Sequence, residues 1–166
     1  MVQHYIIRSD QGDEYKLRMT SENTWMLSED LCQQMKTNGI EVADIELERS
    51  KGANVTSPKV LSMIEECIAD FLIKHENVLF CFFCDFIHLV PTRKNIPVQE
   101  YRSRLFSAMF NRYVKQHRLN GFYNQVVKIE GVAEPFYFHV IYRKEHEMYA
   151  KMISVGNQKD FGKPEE

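Results

Sequence analysis

Basic side chains are concentrated in one segment of this chain and could bind an anion. Residues 91–128 carry eight lysines and arginines and one carboxylate, Glu100, whereas residues 1–90 carry an excess of acidic side chains. On a helical wheel, four of these cations share the side of a predicted helix opposite its apolar residues: Arg104, Arg112, Lys115 and Arg118. Such a face suits a phosphate, a cofactor diphosphate, a nucleic-acid backbone or a protein partner. Because the net charge is negative, we favour the simpler interpretation, a solvated face that complements the acidic half of the same molecule or of a partner.

Cys81 and Cys84 form a C-x-x-C pair, a spacing that serves redox and zinc chemistry in other proteins. Here the pair ends an apolar segment instead of beginning a helix, and no second C-x-x-C occurs. Only His88 and His139 could supply further zinc ligands, and His139 is more simply interpreted as a structural histidine. We therefore predict buried, reduced thiols and no metal site.

Asp85 is a candidate for catalysis because it follows the apolar segment, and strand ends often carry functional residues. An aspartate at this position more commonly caps the turn that follows the strand. The residue type alone does not decide between these two roles.

The elements that position these residues follow from hydrophobic periodicity. We predict strands at 4–8, 14–19, 40–48, 78–84, 122–130 and 136–143, and helices at 28–37, 58–74, 98–118 and 144–153. Residues 78–84 are apolar throughout, which is typical of a central strand with both faces covered. Strand 40–48, helix 58–74 and strand 78–84 form a predicted β-α-β unit with parallel strands, in which we expect a bulge near Ala43. The order β-β-(α)-β-α-β-α-β-β-α indicates an α+β fold with helices packed on a mixed sheet.

Length and composition are those of one globular domain. The chain has 166 residues, a formal net charge of −2 and 44% hydrophobic residues. We expect a single domain over residues 1–155 and a polar tail over residues 156–166. The longest apolar run is too short to span a membrane, so we expect a cytoplasmic protein.

Three segments together resemble an uncharacterised family of small proteins from anaerobic gut bacteria. They are NVLFCFFCD at 77–85, RSRLFSAMFNRY at 102–113 and FYFHVIYRKEH at 136–146. The resemblance implies a bacterial domain of unknown function. It implies no activity and no site residues.

From strand 40–48 onward, the predicted order also resembles the fold of the GCN5-related N-acetyltransferases. Those enzymes hold the diphosphate of acetyl-coenzyme A on a Q/R-x-x-G-x-G/A loop at a helix N-terminus. Here Arg49-Ser-Lys-Gly52-Ala-Asn54 matches the arginine and the first glycine, although Pro58 removes one N–H donor. The resemblance implies Arg49, Gly52 and Ala53 as cofactor-binding residues, and Tyr113 falls in the region of the family's general-acid tyrosine.

No catalytic constellation is visible, so our leading hypothesis is a non-enzymatic interaction or regulatory domain without a cofactor. Its contact surface would be the basic face of helix 98–118, and its partner an unidentified protein. The alternative is an acetyltransferase-like protein, active or degenerate, that binds acetyl-coenzyme A. Nucleic-acid binding through the same face is a weaker alternative because the net charge is negative.

Overall fold

The computed structural model describes residues 2–21, 27–54, 56–83, 98–129 and 136–161. The strands are β1 (Val2–Arg8), β2 (Glu14–Thr20), β3 (Glu41–Lys51), β4 (Val78–Phe83), β5 (Phe122–Ile129) and β6 (Phe136–Arg143). The helices are α1 (Glu29–Thr37), α2 (Pro58–Lys74), α3 (Val98–Gln116) and α4 (Glu147–Phe161), and a short 3₁₀ turn, Lys144–His146, precedes α4.

The six strands form one mixed sheet in the order β1-β2-β3-β4-β6-β5. β3 and β4 are parallel, and the other neighbouring strands are antiparallel. This arrangement confirms the predicted α+β class, the mixed sheet and the parallel β-α-β unit.

β4 lies in the centre of the sheet, between β3 and β6, as predicted. Its side chains alternate between two apolar clusters, because successive residues of a strand point to opposite faces. Phe80 and Phe82 belong to the cluster under α2 and α3. Leu79 and Cys81 belong to the cluster under α1 and α4. Helices therefore cover both faces of the sheet, which explains why this segment is apolar at every position.

β3 and β4 pair over only three residues before they part. Glu41, Val42 and Ala43 are paired with residues 78–80. Beyond them β3 continues alongside β2, and β4 continues alongside β6. The carboxyl ends of the two parallel strands are thus not hydrogen-bonded to each other.

β3 departs from its predicted pattern at one point. Residues 42–45 are all buried, because helices cover both faces of the sheet there. The predicted bulge near Ala43 is wrong. The register of β2 and β3 shifts instead at Glu14 and Tyr15, which pair with Lys51 and Arg49 and leave Ser50 as the extra residue.

α2 begins and ends where the sequence predicts. The Ser57 side chain accepts a hydrogen bond from the backbone N–H of Val60 at 3.3 Å, and Pro58 occupies the first helical turn. A serine N-cap followed by proline is a strong local start signal, because proline's missing N–H has no helical partner at that position.

α3 and α4 end at other residues than predicted. α3 ends at Gln116, because Arg118 adopts a left-handed conformation with φ of 52°. The backbone N–H of Leu119 then donates to the carbonyl of Val114 at 3.0 Å, which closes the helix as a Schellman-type cap. α4 continues to Phe161, so the first part of the predicted tail is helical.

Candidate functional site

The three residues predicted to bind a cofactor lie where β3 ends and the loop to α2 begins. Arg49 is in β3, and Gly52 and Ala53 follow the strand. The Arg49 guanidinium donates from Nη2 to Thr56 Oγ1 at 3.1 Å and lies over the Tyr15 ring, 5.3 Å from its centroid. Arg49 is therefore already engaged in joining this loop to β2.

The carboxyl group of Asp13 occupies the space beside Gly52. Asp13 comes from the β1–β2 turn and is 1% exposed, and its Oδ1 accepts a hydrogen bond from the backbone N–H of Asn54 at 3.3 Å. A Cβ atom at position 52 would overlap that oxygen, and Gly52 has a φ of 88°. The close approach of Asp13 thus explains why residue 52 is a glycine. The negative charge of a carboxylate at this loop would repel a diphosphate bound there.

Tyr113 does not lie at this loop. It borders a cleft beside Glu65, which is about 12 Å along the α2 axis from Ser57. Burial raises the pKa of the Tyr113 phenol, and the nearby carboxylates of Glu66, Glu65 and Asp70 raise it further. A general acid works best with a pKa near the working pH, so this environment does not favour that role. The structure does not bring the predicted cofactor-binding residues and Tyr113 together.

The C-x-x-C pair is described only at Cys81. Its thiol is free and buried, and burial raises its pKa well above the usual value, which disfavours the reactive thiolate. Cys84, Asp85 and His88 lie outside the described residues. Within the described ranges, no three His, Cys, Asp or Glu side chains are placed to hold a metal ion.

The four residues of the predicted basic face differ in their ion pairs. Arg104 forms an ion pair with Glu100 at 2.6 Å, one helical turn earlier. Arg112, Lys115 and Arg118 form no salt bridge with any residue that the structure describes. The unneutralised cations are therefore those at the C-terminal end of α3 and just beyond it.

Lys115 and Arg118 line an open groove of about 480 Å³ between α3 and β5, which we call the basic groove. Three amide side chains complete its polar lining: Asn111, Asn120 and Asn124. No carboxylate is among its lining residues in the described part of the chain. The groove thus offers two cations and several amide donors, a combination suited to anionic oxygen atoms.

A buried hydrogen-bond relay connects α3 to the sheet on the same side of the molecule. The hydroxyl of Ser103 and Nε2 of His139 are 2.8 Å apart, and Nδ1 of His139 is 2.9 Å from Oδ1 of Asn124. The Asn124 amide donates to Ser107 Oγ at 3.1 Å, which fixes its orientation. Nδ1 of His139 must then carry the proton and donate to Asn124, and Nε2 accepts from Ser103. The order of groups is that of nucleophile, base and orienting residue in serine hydrolases.

The surroundings of the relay oppose catalysis. Ser103 is 3% exposed and His139 is 0% exposed. His139 stacks on Phe82 with centroids 5.4 Å apart and meets the edge of Phe106 at 5.3 Å. Burial lowers the pKa of His139 to about 3, so the imidazole is a weak base at neutral pH. The described geometry therefore assigns the relay to structure, as the sequence predicts for His139.

Between α2 and α3 lies a second, smaller opening, which we call the Glu65 cleft. Its volume is about 30 Å³. The walls are almost entirely apolar, with contributions from both helices and β5: Ile68, Ala69, Leu72, Phe106, Phe110 and Phe122. Glu65 and Tyr113 are the titratable residues at its border, and almost none of its accessible surface is polar.

Glu65 is incompletely satisfied in this cleft. Its Oε2 atom is buried without a hydrogen-bond partner among the described residues. Burial raises the pKa of Glu65 to about 7; the charge of Arg112 opposes the rise and that of Glu66 adds to it. Nearly all buried polar groups in native proteins have partners, so an exception that titrates near neutrality marks a candidate functional residue.

Sequence reasoning missed Glu65 and Asp13. Glu65 is three residues before Ile68 and four before Ala69, so the wheel places it at the border of the apolar face of α2. That position could have identified Glu65 as a candidate from the sequence. No sequence pattern could have identified Asp13, because its role depends on contact with a loop distant in sequence.

No described helix has both the length and the apolar character needed to cross a membrane. The chain matches no family model, no curated protein and no solved structure. The chemistry of the grooves is therefore the basis for inferring function.

Proposed function

We propose that this chain is a non-enzymatic, cytoplasmic interaction domain that binds an acidic segment of a partner protein in the basic groove. The observation that carries the proposal is the pair Lys115 and Arg118, which line an open groove without a carboxylate among its described lining residues. Arg104, which has Glu100 as its partner, is not part of this contact.

An extended peptide fits the groove because β5 is an edge strand. Among the described strands, β5 pairs only with β6 and is the last in the sheet order. An edge strand offers backbone N–H and C=O groups that a peptide can pair with as an added strand. Backbone pairing would supply affinity, and the cations would select acidic side chains.

A polypeptide is favoured over nucleic acid by the charge on the other side of α3. Glu66 and Glu65 of α2 act on Tyr113 across the Glu65 cleft, as does Asp70, which is paired with Lys74 at 3.0 Å. A long polyanion that followed α3 would meet these carboxylates, whereas a short acidic segment would not. The formal net charge of −2 acts in the same direction.

Titration calorimetry with extended synthetic peptides, acidic and basic versions of one sequence, tests the proposal at two salt concentrations. We expect the acidic peptide to bind more weakly as salt rises. The double variant Lys115→Glu/Arg118→Glu should lose that binding, while Arg104→Glu, an equal change in charge per residue on the same helix, should retain it. Equal loss with Arg104→Glu, or equal binding of acidic and basic peptides, contradicts the proposal. A salt-sensitive shift with RNA or DNA instead of peptide would favour nucleic acid.

An acetyltransferase-like protein remains the second candidate because β3 and β4 part after residues 41–43 and 78–80. Ligands of open sheets bind beyond the carboxyl ends of parallel strands, and the order from β3 onward is the one that resembles the N-acetyltransferases. Against this candidate, Asp13 lies beside Gly52 and Pro58 lacks an N–H.

Acetyl-coenzyme A provides the direct test of this second candidate. A ligand that binds only the folded state raises the melting temperature by mass action. A rise with acetyl-coenzyme A that Arg49→Ala diminishes would support an acyl-carrier site and displace the interaction domain as the leading function. An unchanged melting temperature at millimolar ligand would remove the candidate.

A further inference from the structure

We propose that β1 pairs with β1 of a second copy of this chain, so that the two sheets join into one continuous sheet about a two-fold axis at Tyr5. This interface is separate from the basic groove, because β1 and β5 lie at opposite ends of the sheet order. The dimer goes beyond the function proposed above and does not depend on it.

β1 is an edge strand with unused backbone hydrogen-bonding groups. Among the described strands it pairs only with β2, in an antiparallel register that has no bulge over residues 2–8. At the turn, the backbone N–H of Ser9 donates to the carbonyl of Asp13 at 2.9 Å, so these two residues form a hydrogen-bonded pair. Hydrogen-bonded and non-hydrogen-bonded pairs alternate in an antiparallel ladder, and therefore residues 3, 5 and 7 bond to β2. The N–H and C=O groups of residues 2, 4, 6 and 8 point outward from the edge.

The side chains of β1 lack the features with which proteins protect a sheet edge. Residues 2–7 read VQHYII, without a proline, a lysine or an acidic residue. Ile6 is 46% exposed and Val2 is 37% exposed. Natural edge strands are commonly interrupted by a charge, a proline or a bulge, which prevents another strand from pairing with them. An uninterrupted, partly apolar edge is typical of a strand that receives a partner strand.

The described helices leave this edge uncovered. The apolar cluster under α1 and α4 contains residues of β3, β4, β5 and β6, and none of β1 or β2. On the other face, where α2 packs on β1, Tyr5, Met63 and Cys67 are only partly buried. Pairing with a second copy would bring the two Tyr5 rings and the neighbouring flanks of α2 together on the same face of the joined sheet. Backbone pairing and apolar burial would then act at one interface.

A second copy fits this edge because β1 is complementary to itself. In an antiparallel pairing centred on Tyr5, His4 lies opposite Ile6 of the second copy, and Val2 lies opposite Arg8. Each outward N–H and C=O group over residues 2–8 then has a partner, whereas a register displaced by two residues leaves some of them unpaired. Like charges opposite each other destabilise a strand pair, and this register places none opposite each other.

The two-fold arrangement also closes. Closed two-fold dimers are the commonest homo-oligomers, whereas pairing of β1 with β5 of another copy would repeat without end and build a filament. A β1 dimer leaves both β5 edges and both basic grooves free. It would bind two acidic segments at once and gain avidity, a consequence that, unlike the dimer itself, rests on the proposed function.

Sedimentation velocity of the full chain over a concentration series, without any ligand, tests the proposal. We expect a monomer–dimer equilibrium and no larger species. Hydrogen exchange should show protection that increases with protein concentration at the amides of His4 and Ile6, and unchanged protection at Tyr5 and Ile7, which already bond to β2. A monomer at every concentration up to the millimolar range would overturn the proposal, as would larger species that indicate a filament.

Charges introduced on the edge test the register. His4→Lys/Ile6→Lys places like charges directly opposite each other at two symmetric contacts and should raise the dissociation constant about tenfold or more. His4→Glu/Ile6→Lys places opposite charges at the same two contacts and should restore association. Both variants change exposed side chains and keep every backbone N–H group. Equal weakening by the two double variants would rule out the pairing centred on Tyr5.

Two further substitutions distinguish backbone pairing from general apolar contact. Ile6→Pro removes an outward N–H group and no hydrogen bond to β2, so it should dissociate the dimer, whereas Ile6→Thr keeps the N–H group and should retain it. Met148→Lys/Met152→Lys alters exposed apolar residues of α4 and should leave the dimer intact. Loss of the dimer in this α4 variant, but not in the β1 variants, would place the contact on α4 and overturn the proposal.

Discussion

A buried titratable group lies on each side of α3, and the two groups differ in their hydrogen bonding. On the sheet side, His139 has a partner for each ring nitrogen, Ser103 and Asn124, and aromatic rings enclose it. On the α2 side, Glu65 lies at an opening and has a buried oxygen without a hydrogen-bond partner in the described part of the chain. Both groups are pushed toward their neutral forms, His139 with a pKa of about 3 and Glu65 with a pKa of about 7.

This difference distinguishes a buried group that stabilises the fold from a buried group that is a candidate functional residue. A satisfied network specifies how two elements dock, because each of its hydrogen bonds is lost if the elements shift. An unsatisfied group contributes no hydrogen bond to the docking of the two elements and is free to accept one from water or from a ligand. By this criterion the hydrolase-like relay holds α3 on the sheet, and the less conspicuous Glu65 is the stronger site candidate.

The largest expected effect is the acid sensitivity that His139 confers. The unfolded chain binds a proton at its ordinary pKa of 6.5, whereas the folded protein binds it only near pH 3. Stability should therefore fall as the pH decreases from 6.5 toward 3, by about 3 to 5 kcal/mol from this group. Urea unfolding at several pH values measures the slope. His139→Leu should be less stable at pH 7 but should lack this slope; an unchanged slope would assign it to other groups.

A smaller loss is expected when the relay is broken at Ser103. Ser103→Ala removes the donor to Nε2 and leaves a buried acceptor, which should cost about 1 to 3 kcal/mol. A double-mutant cycle with His139→Leu should show that the two losses do not add, because they share one hydrogen bond. If a fluorophosphonate labelled Ser103, and the Ser103→Ala variant were not labelled, the relay would be a reactive site. The conclusion that it is purely structural would then be wrong.

Local signals explain how much of the fold the sequence predicts. The bounds of α2 were predicted from Ser57, Pro58 and a regular apolar stripe, all of which lie within the helix itself. The end of α3 was missed because Arg118 takes a left-handed conformation usually reserved for glycine. The predicted bulge in β3 failed for a different reason. Its broken alternation reflects cover on both faces, which depends on helices elsewhere in the chain.

The site was less predictable than the fold because its parts are distant in sequence. The basic residues were found from their spacing on one helix, but the ion pair that partly neutralises the exposed Arg104 needed coordinates. Cofactor binding at Gly52 was inferred from a short motif, whereas the glycine is explained by Asp13, from another turn. Glu65 became distinctive only once α3 had been placed against α2.

Replacing Glu65 should stabilise the protein in alkali and do nothing in acid. The folded pKa is raised to about 7 from 4.5, so the folded state favours the proton and stability falls as the pH rises through this window. Glu65→Gln should therefore gain about 1 to 2 kcal/mol at pH 8, a figure reduced for partial exposure, and nearly nothing at about pH 4, below both pKa values. Unfolding curves at both pH values test this, with Glu66→Gln as the control. Destabilisation at pH 8 would mean that Glu65 has a partner after all.

The smallest effect is expected from Arg112, whose charge acts on Glu65 without a salt bridge. Arg112→Gln should raise the pKa of Glu65 further, because the positive charge that favours the carboxylate is gone. Its cost at pH 8 should be below about 0.5 kcal/mol, as for other exposed charges, and ¹³C titration of the carboxyl is the sensitive measurement. Lys115→Gln removes an equal charge on the side of the basic groove and should leave Glu65 unchanged. Equal shifts in the two variants would mean that the electrostatic field of the whole helix, and not the local setting of the cleft, determines the pKa of Glu65. The contrast between the two sides of α3 would then be weaker than the structure indicates.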